Sequence, residues 1–173
     1  SLGLLTEDLN AMEPILRSAA AVHVDASVCK ASFAADCSAS EPSGLSPEEL
    51  IQLVRFASHS PNISFIGFDT TAKVNTTTAR SAMMDLYATA IWYFVEGLQQ
   101  GPLLAESATE ITFVNLQDYD EILEFAHDPS TRRWWVRVQQ EEAKSYLPCT
   151  RTDHEEAVKG SITHRLHRYL FEN

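Results

Sequence analysis

The chain has 173 residues, 45% of them hydrophobic and 21% charged, the composition of one globular domain or of a large piece of a bigger one. A net charge of −11 and a pI near 4.9 argue against a general nucleic-acid binder, which needs a basic stripe to replace counterions. The same acidity argues against docking on an anionic membrane.

The first predicted element starts at Thr6-Glu7-Asp8-Leu9, a cap residue followed by two acids. Leu9, Met12, Ile15 and Leu16 then recur at helical spacing, up to about Ala19. Ala19 to Asp25 reads as a short buried strand. Strand side chains alternate, so His23 and Asp25 point to one side of the sheet. Cys29 to Ser43 is a long Ser- and Ala-rich loop. Ser46-Pro47-Glu48-Glu49 is a strong helix start, with Ser as cap, Pro first and Glu third. Leu50, Leu53, Val54 and Ala57 form the apolar face of that helix. Ile63 to Asp69 is the next strand. A Thr-rich turn leads into a long apolar helix from about Thr77 to Gln99, stopped by Gly101-Pro102. This order implies an α/β fold with a parallel sheet. Two strands are too few to complete such a sheet, so the main domain is expected to extend upstream of Ser1.

After Gly101 the character changes. Ile111 to Leu116 and Arg133 to Val138 alternate like strands and are expected to pair as a short antiparallel ribbon. Trp134 and Trp135 would then face opposite sides, one packing on the sheet or meeting a partner protein. Leu147-Pro148-Cys149 leads into a helix beginning at Thr152-Asp153-His154-Glu155-Glu156. A last helix, Ile162 to Phe171, carries His164 and His167 on a polar face that suits solvent or a partner better than a metal. Residues 1–101 therefore read as one domain and 102–173 as a C-terminal extension.

Cys29, Cys37 and Cys149 have no CxxC spacing, which reads as reduced structural thiols in an intracellular compartment. Ala88 to Val95 is too short an apolar run to insert directly in a membrane. The sequons at Asn62 and Asn75 would matter only in a secreted protein. The chain opens on Ser1-Leu2-Gly3 without Met, so a processed, truncated or split product is expected, with a mitochondrial origin favoured over a cytoplasmic one. A glycine-rich phosphate loop and a GxSxG elbow are both missing.

With these motifs in place, the chain resembles the second half of the arginase–agmatinase–formiminoglutamase (ureohydrolase) family, in the branch with a C-terminal extension. Ala21-Val22-His23-Val24-Asp25-Ala26 matches the family's Ser-Phe-Asp-x-Asp-Ala strand, whose two aspartates bridge a pair of manganese ions. Gly44-Leu45-Ser46 and Glu48-Glu49-Leu50 match the helix start that follows. Phe68-Asp69-Thr70-Thr71-Ala72 and Thr78-Ala79-Arg80 stand where the family has Glu-x-Asn-Pro and a Thr-Ala helix start. Met12 to Arg17, Ile91 to Gly97, Arg132 to Trp135 and Leu147 to Cys149 extend the likeness along most of the chain. The resemblance implies part of a three-layer α/β/α sandwich.

The departures fall on the chemistry. His23 replaces the first metal-binding aspartate, while Asp25 keeps the second. Asp69 is the nearest acid to the family's substrate-binding Glu, and Ala35-Asp36-Cys37-Ser38 lacks the family's Pro-Gly. A ureohydrolase uses two manganese ions to activate a bridging water, and an imidazole cannot bridge two ions as a carboxylate does. The expectation is a non-catalytic structural or assembly subunit of a larger complex, with a mitochondrial one favoured, and with no metal, cofactor or catalytic residue of its own. Its partners would be other protein subunits, among them an upstream half of the same domain or an active paralogue. The rival is a divergent manganese-dependent hydrolase of guanidino or formimino compounds, binding metal through His23 and Asp25.

Overall fold

The computed structural model describes residues 8–33, 43–69, 77–140 and 143–171. It divides into two compact units, Ser1–Leu103 and Leu104–Asn173. The whole is mixed α/β, with a two-stranded parallel sheet in the first unit and a four-stranded antiparallel sheet in the second.

The first unit starts as a 3-10 turn, Leu9–Met12, whose leading end is capped by the Asp8 carboxylate accepting from Asn10 N. Helix α1, Glu13–Arg17, follows. One continuous helix was expected here. Pro14 has no N–H to give and clashes with a preceding turn of α-helix, so it fits only in a first turn. The α-helix therefore begins at Glu13 and ends two residues before Ala19. Its Arg17 guanidinium is fully buried and pairs with Glu13 at 2.7 Å.

Strand β1, Ala21–Asp25, pairs in parallel with β2, Phe65–Asp69. Helix α2, Pro47–Ser58, has the full capping box that its sequence announces: Ser46 accepts from Glu49 N, and Glu49 accepts from Ser46 N. That contact holds the Glu49 carboxyl below its usual range. The long helix α3 runs Thr77–Gln100 and stops at Gly101, whose φ of +84° suits glycine. Val24, Leu50, Val54, Ala57, Met83, Tyr87, Ala90 and Phe94 make one core with Leu45. Phe68 meets the Tyr87 ring at a tilt, with centroids 4.8 Å apart, which ties β2 to α3. Gly97 lets α3 approach α2, because a Cβ there would lie 1.9 Å from Ser58 Oγ and 2.9 Å from Ser58 Cβ.

In the second unit the strands lie in the order β3 (Glu110–Leu116), β4 (Glu121–Asp128), β5 (Arg133–Gln140), β6 (Ala143–Cys149). The expected pairing of the Ile111 and Arg133 segments does not occur: β4 lies between them. The β4–β5 turn is built on Asp128, whose carboxylate accepts from Ser130 N at 2.9 Å and from the Ser130 and Thr131 hydroxyls. The Ser130 hydroxyl is the chief cause of a lowered Asp128 pKa. Pro148 is accommodated because β6 is an edge strand.

Helix α4, Arg151–Val158, begins one residue earlier than Thr152, because Thr150 is its cap and Asp153 completes the capping box. Helix α5 spans His164–Phe171. Phe125, Val136, Leu116, Leu123 and Cys149 from the sheet meet Ala157 and Leu166 from the two helices in a second core. Trp134 and Trp135 do face opposite sides: Trp134 packs against this core, while Trp135 is buried on the other face.

Candidate functional site

The parallel register places His23 beside Gly67 and Asp25 beside Asp69. Alternation then puts His23, Asp25, Phe65, Gly67 and Asp69 on one face, at the carboxyl ends of two parallel strands, where α/β folds bind ligands. Val24 and Phe68 face the core instead. The helices named above cover that core face, whereas Ala21, His23 and Asp25 are exposed and Phe65 is 57% exposed. The two residues singled out in the sequence do share a face.

Their described surroundings are mixed. One oxygen of Asp25 accepts from Ser27 N at 2.8 Å, capping the 3-10 turn Ala26–Val28. The Phe65 ring lies over Gly67, so close that a Cβ there would meet it at 2.9 Å and His23 Cδ2 at 3.4 Å. His23 also borders a cavity of about 180 Å³ whose other walls are apolar, among them Met12, Leu16, Val28, Leu50 and Leu53. Manganese takes a near-octahedral set of mostly oxygen donors. Among the described residues no three His, Cys, Asp or Glu side chains come together to hold a metal. Among the described residues, His23 and Asp25 by themselves do not supply the donor set that ion takes. Ala35 to Ser38 and Thr70 to Ala72 lie outside the described residues, while Thr78-Ala79-Arg80 fall in the first turns of α3.

The second unit holds a constellation that the sequence did not announce. His127 stacks on Trp134 at 4.1 Å, and Trp134 stacks on His154 at 4.6 Å, so an indole is sandwiched between two imidazoles. Phe125 meets His154 edge-on at 5.1 Å. His127 Nδ1 lies 2.7 Å from Glu110 Oε2. These groups line an open groove of about 720 Å³ between the sheet and α4, rimmed by Arg132, Arg151 and Lys159. Burial pushes the His154 pKa down, with His127 and Arg151 adding to it and Glu155 opposing. Its Nε2 is buried without a hydrogen-bond partner among the described residues. Register between β4 and β5 creates this stack (His127 lies opposite Trp134), and only a correct strand pairing would have revealed it.

The remaining candidates have structural settings. His164 is exposed, whereas His167 turns to Tyr119 and Phe171 at ring distances of 6.2 and 5.3 Å. Cys29 and Cys149 are buried and form no disulfide among the described residues. Asp153 is 2% exposed and binds Arg165 at 2.6 Å, together with the Thr163 hydroxyl and Thr150 N. Burial opposes its ionisation, yet these partners outweigh burial and hold its carboxyl below the usual range.

No protein-family model matches the chain, and no curated protein does. Among solved structures, the chain is similar to the formimidoylglutamase from Bacillus subtilis subsp. subtilis str. 168, with 27% identity and a TM-score of 0.38. The match covers 48% of this chain and 26% of that one, so it spans about a quarter of the neighbour's length and is a distant, partial likeness.

Proposed function

We propose that this chain is a non-catalytic, ureohydrolase-like protein that serves as a structural or assembly subunit of a larger complex. The observation that carries the reading is His23. It stands where the resembling motif has its first bridging aspartate, and among the described residues its ring lies beside Gly67 and the Phe65 ring, with Asp25 and Asp69 the acids on the same face. A half-covered parallel sheet supports the assembly part of the proposal. Such sheets are ordinarily buried on both faces, and here one face presents Phe65 and the ends of β1 and β2 to solvent. More protein is the natural cover for it.

The test is native purification from the source, with quantitative mass spectrometry and a hydrolase assay on guanidino and formimino substrates. The reading predicts a stoichiometric assembly of fixed composition and no turnover by this chain in it. A catalytically competent preparation whose turnover disappears with Asp25→Ala would overturn it.

A further inference from the structure

Helix α3 carries two parallel seams. Met83, Tyr87, Ala90, Phe94 and Gly97 follow a 4-3-4-3 spacing and are buried in the first core. One residue further along, Met84, Ala88, Ile91, Val95 and Leu98 follow the same spacing and are exposed, the four large ones by 41 to 44%. A 4-3 repeat keeps one stripe facing a partner helix along its whole length. Beside the second seam stand Asp85, Trp92 and Gln99, and Trp92 is 62% exposed. From Ala82 to Gln100 the charged residues are Asp85 and Glu96, and Glu96 pairs with Arg55 at 4.0 Å. A helix this apolar on two sides is normally covered on both. No described helix is long and apolar enough to cross a membrane.

We infer that the exposed seam of α3 is an interface for a second copy of this chain, formed antiparallel about a two-fold axis at Ile91. The seam reads large, small, large, medium, large, and that order is nearly the same in both directions. A two-fold axis at Ile91 sets Met84 against Leu98 and Ala88 against Val95, so bulk meets bulk at the ends and the small residue meets the branched one. A self-complementary patch is what an isologous interface needs. The flanking residues agree with this direction. The axis brings Trp92 beside its twin and Asp85 against Gln99, a carboxylate facing an amide that can donate to it. A parallel pair would instead set Asp85 against Asp85, a like-charge contact on a net acidic chain. The inference is independent of whether the chain turns over a substrate, since an enzyme and a structural subunit could both dimerise this way.

Sedimentation of the purified chain across a wide concentration range tests it, together with Ile91→Glu, Val95→Glu and two cysteine probes in a Cys37→Ser background. The expected result is a dimer that becomes a monomer in both Glu variants with helicity unchanged. Added salt should tighten the dimer, because it screens two copies of −11 each. Ile91→Cys should cross-link to its twin under mild oxidation. Ala82→Cys should not, because the antiparallel arrangement keeps it roughly 27 Å from its twin. A wild-type chain that stays monomeric, or a dimer that survives Ile91→Glu and Val95→Glu, would overturn the interface. Cross-linking of Ala82→Cys would overturn its direction.

Discussion

His154 is an imidazole held between an indole and a phenyl ring, and its buried Nε2 has no hydrogen-bond partner among the described residues. Because burial lowers its folded pKa, the unfolded chain binds the proton more readily than the folded one. The stability it supports is fully present above the unfolded value of about 6.5 and falls as pH drops through the folded value. Thermal unfolding of the second unit from neutral to mildly acid pH should therefore show a loss that His154→Phe reduces. An unchanged pH dependence in that variant would count against the assignment. Asp153 acts lower on the pH scale: its lowered pKa keeps its contribution intact until acid reaches the carboxylate range. Replacing it with Ala takes away the carboxylate partner of Arg165, which keeps its bond to Pro148 O, and the half of the capping box that accepts from Thr150 N, so a loss of about 3 kcal/mol is expected. Urea unfolding followed by Trp134 and Trp135 fluorescence would measure it.

Among the elements, the α2–α3 crossing depends on Gly97. Ala is favoured over Gly inside a helix by up to about 1 kcal/mol, but a Cβ at 97 would overlap Ser58 at both Oγ and Cβ. Overpacking costs about 1–3 kcal/mol, so Gly97→Ala should destabilise the first unit, and Gly97→Ala combined with Ser58→Gly should recover most of the loss. Chemical denaturation of the three chains checks this.

Elements that announce themselves locally were legible in the sequence. The capping box at Ser46, the Gly101 stop and the alternation in Ala21–Asp25 each follow from chemistry within a few residues. The second sheet was only half legible. Strands β4 and β6 carry Glu, His, Lys and Pro at positions where a strand usually shows β-branched or aromatic residues. What qualifies them is pairing on both sides or an edge position, and both are tertiary facts. The candidate site divides the same way. The shared face of His23 and Asp25 follows from period two, while the Phe65 ring over Gly67 and the His127–Trp134–His154 stack require a register between strands.

For the whole molecule, the resemblance, the geometry at the ends of β1 and β2 and the exposed faces point to one account. The proposed framework is ureohydrolase-like, without that family's metal chemistry. The carboxyl ends of the strands present His23, Asp25 and Asp69 on one face, and the proposal is that an imidazole at the first of these positions no longer bridges two ions as a carboxylate would. Among the described residues, apolar surface is exposed at Phe65 on the parallel sheet and along the outer seam of α3. Metal content decides the matter. The chain, equilibrated with excess manganese and then freed of unbound ion, should retain well under one manganese per chain, and Asp25→Ala should not change that value. One or two tightly held ions per chain, lost in Asp25→Ala, would contradict the account and restore the hydrolase reading.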